Sequence, residues 1–243
     1  LPAALKICTE IACVAEKELV VFATPSFAVR ETAQKAAPYL GDGTLVVSVS
    51  KGIEKGTSLR LSQIIDEETK GRCRIVALSG PSHAEEVGRH VPTGCVAASL
   101  DREAAEMVQD AFMNERFRIY SSPDIVGVEL AAALKNVIAL CYGVCDGLGY
   151  GDNTRALLMT RGLTETARLG VAMGGKKETF AGLAGVGDLI VTCTSMHSRN
   201  HRAGILIGQG KSVEEALKEV GAVVEGYYAT DTVRTLAGEY GIE

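Results

Sequence analysis

The chain has 243 residues, of which 47% are hydrophobic and 23% are charged, and its formal net charge is −5. These values are typical of a soluble globular protein with one large or two ordinary domains. The negative charge excludes a general electrostatic attraction to nucleic acid or to an anionic membrane, so any anion site must be local. No apolar run reaches the roughly 18 residues that span a bilayer, so we expect no membrane insertion, and we find no signal peptide.

The seven cysteines are scattered along the chain. None forms a Cys-x-x-Cys pair, and no histidines stand at zinc spacing. We therefore expect reduced, buried thiols in a cytosolic protein and no metal site. Cys141 and Cys145 would share one face of a helix, where packing is the better explanation.

Apolar runs and helical stretches alternate through the first half of the chain. The predicted strands span residues 19–24, 45–50, 74–78, 94–99 and 117–120. The predicted helices between them span about 27–40, 59–69 and 101–112. Because strand alternates with helix three times, the pattern predicts an α/β fold with a parallel, doubly wound sheet.

Small polar residues follow each of the first three predicted strands. They are Thr24-Pro25-Ser26, Ser50-Lys51-Gly52 and Ser79-Gly80-Pro81-Ser82. Such residues form turns readily, which is the simplest explanation for any one of them. Since parallel strands place their carboxyl ends on one edge, where these sheets bind ligands, the three together favour a site there.

The second half contains helical patterns and no convincing strand. A turn at 121–124 is the best domain boundary, which gives domains of 1–122 and 123–243. Asp152 or Asn153 can cap one helix, and Ser198 another. Ser212 and Glu215 form a capping box, and a last helix is predicted over about 227–240. We predict that this half is all-helical.

Residues 126–142 are small or apolar almost throughout, so a helix here would be buried nearly all round. Lys135 interrupts this stretch, and a buried ammonium group is costly unless it is paired or employed. In the simpler interpretation it reaches the surface or pairs with Glu129. In the functional one it shares a cleft with Lys51, because two neighbouring ammonium groups lower each other's pKa and ready a lysine for acid-base chemistry.

Two further groups have both a structural and a functional interpretation. Ser198-Arg199-Asn200 opens a helix with free backbone amides and an arginine, which suits a phosphate but also describes an ordinary capped helix. Asp188 follows a glycine turn, where it can cap a helix or orient a substrate hydroxyl or an ammonium group.

Seven segments, in order along the chain, carry a family resemblance. They span residues 50–54, 79–86, 127–136, 146–153, 185–195, 198–200 and 223–226. On these segments the chain resembles the bacterial NAD(P)-dependent glycerol-3-phosphate dehydrogenases. The resemblance implies an incomplete Rossmann-type sheet followed by an all-helical substrate domain, with NAD or NADP as the cofactor and no metal.

The resemblance also implies an activity and a setting. The family interconverts sn-glycerol 3-phosphate and dihydroxyacetone phosphate and supplies the backbone of glycerophospholipids. For this chain it implies a small-molecule substrate, no nucleic-acid partner, no membrane insertion and a cytoplasmic location, and it leaves a homodimer open.

The resemblance assigns roles residue by residue. Lys135 is expected to accept the proton of the substrate hydroxyl. The residues expected to bind the substrate are Lys51, Gly80, Ser82, Lys135, Asn136, Asp188, Thr192, Ser198, Arg199 and Asn200. The residues expected to contact the cofactor are Lys51, Ala84, Arg199, Val223 and Glu225.

The chain departs from the family pattern in three ways. The family's glycine-rich phosphate turn is expected upstream of this sequence, and family members continue with more helix beyond Glu243, so we expect a fragment lacking both ends. The segment that usually sets the preference for NAD or NADP lies in the missing part. Ala131 and Ala132 stand where the family often has two glycines.

Two alternatives stay open at this point. A 3-hydroxyacid dehydrogenase would share the fold, but it places its catalytic lysine and asparagine four residues apart, whereas Lys135 and Asn136 are adjacent. The other alternative is a non-catalytic fragment of the enzyme, which follows from the missing phosphate turn.

Overall fold

A computed structural model of the chain describes residues 4–242. A five-stranded sheet with the strand order β1-β2-β3-β4-β5 occupies the first half. The strands are β1 (Leu19–Phe22), β2 (Leu45–Ser48), β3 (Arg74–Ser79), β4 (Thr93–Ala98) and β5 (Phe117–Ser122). The helices among them are α1 (Val29–Ala36), α2 (Leu61–Thr69), α3 (Ala84–Val87) and α4 (Arg102–Phe112).

The first three strands are parallel, as the alternation with helices predicts. β4 runs antiparallel to β3, and β5 is parallel to β4, so the complete sheet is mixed. The connection from β3 to β4 contains only the one-turn helix α3, whereas a parallel crossover is usually made by a longer helix that carries the chain back along the sheet.

Both faces of the sheet are covered, which confirms the doubly wound α/β class. Val46 points into a core with Val29, Ile64 and Ile65, contributed by α1 and α2. Its neighbours in β2 point the other way, into a core that α4 completes. Because alternate residues of one strand enter different cores, the predicted strands have continuous apolar sequences.

The described part of the second half is helical, as predicted. Its helices are α5 (Ile125–Gly147), α6 (Asp152–Ala172), α7 (Lys177–Phe180), α8 (Asp188–Thr194), α9 (Arg199–Gly208), α10 (Val213–Val220) and α11 (Glu225–Glu239). A single π-helical turn, Leu183–Gly187, leads into α8. The division at residue 122 stays a prediction.

The predicted helix caps at Ser198 and Ser212 are confirmed, and the predicted cap at Asp152 is wrong. Ser198 and Ser212 each accept a backbone hydrogen bond at the start of a helix, and Ser212 forms the predicted box with Glu215. Asp152 is instead the first residue of α6, and the preceding Gly151 occupies the cap position without a side-chain bond.

Helix α5 is the central element of this half. Among the described residues it is the one helix that is long and apolar enough to cross a membrane, but 72% of its most apolar 18-residue stretch is buried inside the protein. Such burial is typical of the core helix of a globular protein, which is hydrophobic nearly all round.

Helices α5 and α9 touch backbone to backbone through paired glycines. A Cβ atom on Gly143 of α5 would lie 2.1 Å from the His201 carbonyl oxygen, and one on Gly204 of α9 would lie 2.1 Å from the Leu140 carbonyl oxygen. Gly147 and Gly208 repeat the arrangement one turn further on. Since only glycine permits this approach, these residues bring the start of α9 close to the middle of α5.

Candidate active site

A cavity of about 660 Å³ opens where the carboxyl ends of β1 and β2 face α5, α8 and α9. This is the edge at which doubly wound sheets bind ligands. All the residues predicted for the site, except Gly80, line the cavity. They are Lys51, Ser82, Ala84, Lys135, Asn136, Asp188, Thr192, Ser198, Arg199, Asn200, Val223 and Glu225.

A carboxylate with two ammonium groups lies in this cavity. Asp188 Oδ1 is 3.2 Å from Lys135 Nζ, and Asp188 Oδ2 is 2.7 Å from Lys51 Nζ. Asp188 is the first residue of α8 rather than its cap. The interpretation that pairs Lys135 with Glu129 is therefore wrong, because Glu129 binds Arg60 and Ser62 instead.

Burial and charge together set the protonation of these groups. Burial lowers the pKa of Lys135 to about 8, and the charge of Lys51 acts in the same direction, while Asp188 opposes both. Burial alone would raise the pKa of Asp188, but Lys135 and Lys51 outweigh it, and the net direction is downward. The site thus holds an ionised carboxylate beside a lysine that can exchange a proton near neutral pH.

Two neighbours besides Asp188 hold the Lys135 ammonium in place. Its Nζ donates to Thr192 Oγ1 at 2.6 Å and to Asn136 Oδ1 at 3.3 Å. Thr192 Oγ1 in turn donates to the Asp188 carbonyl oxygen, and Asn200 Nδ2 donates to Asn136 Oδ1 at 3.0 Å. Asn136 and Asn200 therefore tie the amine on α5 to the start of α9.

Gly80 takes part in the site through its backbone. Its carbonyl oxygen accepts from Lys51 Nζ at 3.1 Å and from Ser82 Oγ at 3.1 Å. A Cβ atom on Gly80 would lie 3.0 Å from Cys95 Cα on the neighbouring strand. The close approach of the two strands thus accounts for a glycine at the position that orients Lys51.

The start of α9 presents Arg199 to the cavity. Ser198 Oγ accepts from the His201 N–H at 3.2 Å and caps the helix. Arg199 is exposed, so its guanidinium is available to a ligand. Backbone amides, the positive end of the helix dipole and an arginine together form a group that binds phosphate.

Two residues that the sequence did not single out anchor this helix. His201 is 3% exposed, and its Nε2 lies 2.6 Å from Asp146 Oδ2 at the end of α5. Asp146 also pairs with Arg155 of α6. Because Asp146 and His201 are 55 residues apart, no local pattern links them.

Glu225 joins the helical half to the edge of the sheet. Its carboxylate accepts from the Ser26 N–H at 3.2 Å and from Ser26 Oγ at 2.6 Å. Ser26 also packs against Gly52, where a Cβ atom would lie 2.5 Å from Ser26 Cβ. This contact closes one side of the cavity between β1, β2 and α11.

The strand ends offer polar groups suited to a dinucleotide. Thr24 and Ser50 line the cavity at the ends of β1 and β2. Thr24 Oγ1 is buried and has no hydrogen-bond partner within residues 4–242. Because a buried hydroxyl without a partner is costly, this position fits the polar part of a bound cofactor.

Comparisons with known proteins agree with the motif-based resemblance. Two family models match: "NAD-dependent glycerol-3-phosphate dehydrogenase N-terminus" over residues 1–105 and its C-terminal counterpart over 124–243. A glycerol-3-phosphate dehydrogenase [NAD(P)+] of Moorella thermoacetica is 61% identical over 93% of this chain and 67% of its own. One of Desulfitobacterium hafniense is 59% identical over 93% of this chain and 64% of its own.

A solved structure is similar over the whole chain. The glycerol-3-phosphate dehydrogenase of Coxiella burnetii superposes with a TM-score of 0.95 at 39% identity, covering 100% of this chain and 74% of that one. The predicted family and fold are thereby confirmed. The chain spans about two thirds of the length of these curated relatives.

Proposed function

Since the chain belongs to the NAD-dependent glycerol-3-phosphate dehydrogenase family, we propose that it interconverts sn-glycerol 3-phosphate and dihydroxyacetone phosphate. One observation carries the proposal beyond the family name. A buried lysine with a pKa of about 8 faces the same cavity as an arginine at a helix N-terminus. The first group suits proton transfer at an alcohol, and the second suits a phosphate.

Lys135 acts at the reacting carbon of the substrate. In the oxidation, its neutral amine accepts the proton of the C2 hydroxyl, and in the reduction its ammonium returns that proton to the carbonyl oxygen. Thr192 and Asn136 aim the amine, and Asp188 stabilises the ammonium form after transfer. The nicotinamide cofactor, when bound, accepts or supplies the hydride.

The phosphate end of the substrate binds at the start of α9. Ser198 and Arg199 are the groups available there, and Asn200 joins this end to Asn136 beside Lys135. The substrate is thus held between a phosphate site and a proton acceptor, which positions its C2 carbon for reaction.

The cofactor binds along the sheet edge and reaches the same cavity. Lys51, Ala84, Arg199, Val223 and Glu225 are the residues that would hold it, together with the ends of β1 and β2. We propose either NAD or NADP as the cofactor. The product would feed glycerophospholipid synthesis in the cytoplasm, and a homodimer is the proposed assembly.

The test measures turnover in an extended chain, in which the segments that the Moorella thermoacetica relative carries outside the matched region are joined to this sequence. We expect dihydroxyacetone phosphate to cause oxidation of NADH or NADPH, followed by absorbance at the nicotinamide band. Dihydroxyacetone without phosphate should react far more slowly, because it lacks the contact to Arg199. Equal rates for the two ketones, or a preference for a 3-hydroxyacid, would contradict the proposal.

A further inference from the structure

Two histidines meet at the mouth of the cavity, and the proposed reaction uses neither. His83 stands in the turn after β3, and His197 immediately precedes Ser198. Their ring centroids are 5.9 Å apart, with an interplanar angle of 55°, and both rings line the cavity beside Arg199. We call these three residues the mouth cluster.

Charged groups from several elements share the cavity with the mouth cluster, and they include Glu225 of α11. Glu85 of α3 lines the cavity too, and its pKa is lowered by a hydrogen bond from its own backbone amide and further by His197, His83 and Arg199. The floor of the cavity holds Lys51, Lys135 and Asp188. His83 makes one contact besides these, with Nε2 3.4 Å from the Val191 carbonyl oxygen.

We propose that His83 and His197 bind the phosphate group of the substrate in their protonated form, alongside Arg199. This inference rests on the proposed function and adds a pH-dependent component to the same site. An imidazole ring gains its charge between about pH 8 and pH 5, and a phosphate monoester is mostly a dianion above about pH 6. The pH range in which an imidazole can gain its charge therefore overlaps the range in which the phosphate is mostly a dianion.

Substrate binding should therefore take up protons. Without an anion, two imidazolium rings at this separation repel each other, and Glu85 can offset only one of them. A phosphate dianion placed beside both rings favours the charged form of each. The number of protons taken up on binding, rather than affinity alone, thus distinguishes this role from simple packing.

The phosphate could also belong to the dinucleotide, because Ala84, beside His83, is an expected cofactor contact. His197 adjoins Ser198 and Arg199, so we assign the mouth cluster to the substrate. Separate titrations with glycerol 3-phosphate and with NADH distinguish the two sources.

The experiment titrates the 243-residue chain with glycerol 3-phosphate by calorimetry, in buffers of different ionisation enthalpy. The double variant His83→Asn/His197→Asn should bind about tenfold more weakly than the unchanged chain near pH 6, and less than about threefold more weakly near pH 8. It should also take up fewer protons. The matched control is His90→Asn, because His90 is exposed, lies outside the cavity and has a φ of 59°, which asparagine tolerates.

Three results would overturn the proposed role of the two histidines. Unchanged affinity and proton uptake in the double variant, with an unchanged thermal midpoint, would overturn it. A loss of affinity for NADH alone would overturn the assignment to the substrate. If the unchanged chain and the extended chain both fail to bind glycerol 3-phosphate at either pH, the proposed function itself fails, and this inference fails with it.

Discussion

Helix α5 buries two opposite charges, Glu129 and Lys135, and the structure treats them differently. Glu129 is 7% exposed and Lys135 is 5% exposed. The Glu129 carboxylate accepts hydrogen bonds from three donors at the start of α2: the Ser62 N–H at 2.7 Å, Ser62 Oγ at 2.6 Å and the guanidinium of Arg60, which precedes the helix. These contacts join α5 to the start of α2, so the carboxylate holds the two halves of the protein together.

The surroundings of Lys135 are less complete. Its ammonium shares Asp188 with Lys51, so one buried carboxylate serves two cations. It also borders the cavity, whereas Glu129 does not. The comparison teaches that burial alone does not mark a functional charge. A buried charge whose hydrogen-bond partners are all in place is costly to disrupt, and one that shares its partner beside a cavity is free to exchange a proton.

The largest expected effect is the loss of turnover on removing Lys135. Lys135→Met in the extended chain should lower kcat by about a hundredfold to ten-thousandfold, because a positioned proton acceptor contributes about 10²–10⁴ in rate. Stability at pH 7 should stay equal or rise, since a buried charge is removed while Asp188 keeps Lys51. Lys55→Met, at an exposed ammonium, is the control and should leave turnover unchanged. Unimpaired turnover of the Lys135 variant would refute its role.

Removing Glu129 should lower the stability of the fold, whereas removing Lys135 should lower turnover. Glu129→Ala leaves the Arg60 guanidinium without its partner at a poorly exposed site, and the expected loss is about 3–5 kcal/mol in the free energy of unfolding. Urea denaturation measures it. Glu106→Ala, which breaks an exposed ion pair with Arg102, should cost less than about 1 kcal/mol. Similar losses in the two variants would show that Glu129 is not a structural anchor.

The pH dependence of turnover tests the role of Lys135 as the proton acceptor. Because the pKa of Lys135 is about 8, oxidation of glycerol 3-phosphate should speed up as the pH rises through 8, when the amine becomes neutral. Reduction of dihydroxyacetone phosphate should slow over the same range, because it needs the ammonium. Profiles of kcat/KM in both directions check this, and profiles that move in the same direction would contradict it.

Stability should respond to the same group. The folded-state pKa of about 8 lies below the ordinary value of 10.5, so the unfolded chain binds more protons between these values. Lys135 therefore lowers the free energy of unfolding by up to roughly 3 kcal/mol below pH 8. This loss of stability disappears as the pH rises toward 10.5. In the Lys135→Met variant this rise in the free energy of unfolding with pH should be absent, whereas in the Lys55→Met variant it should remain. Measurement of the free energy of unfolding of both variants across this pH range tests the prediction.

The smallest expected effects come from the hydroxyl groups beside each charge. Thr192→Val keeps the shape but removes the acceptor for Lys135, so turnover should fall about tenfold with little change in stability. Ser62→Ala removes a donor to Glu129, so stability should fall by about 1 kcal/mol with turnover unchanged. If both variants changed the same property, the distinction between the two charges would not hold.

Much of the site could be predicted from the sequence because its parts are local. The ends of the first two strands, the capped start of α9 and the small apolar residues of α5 each leave a pattern within a few residues. Their roles came from the resemblance to a family. The residue patterns offered a shared cleft for Lys51 and Lys135 as one of two interpretations, and only the resemblance placed Arg199 at the same site. The structure brings all three to one cavity.

Other features depended on contacts that no local pattern encodes. The meeting of His83 and His197, and the glycine contact that sets α9 against α5, join residues far apart in the chain. The antiparallel pairing of β4 with β3 was not predicted either, although the connection between these strands contains only the one-turn helix α3.

The sequence by itself determined which segments form strands and helices and which stretch is buried, because periodicity and capping act over a few residues. Only the tertiary structure decided the partner of Lys135. Glu129 lies six residues away on the same helix, yet Asp188, from a different helix, makes the contact. The physical reason is that an ion pair forms where helices dock, and docking depends on the shape of the whole surface that each helix buries.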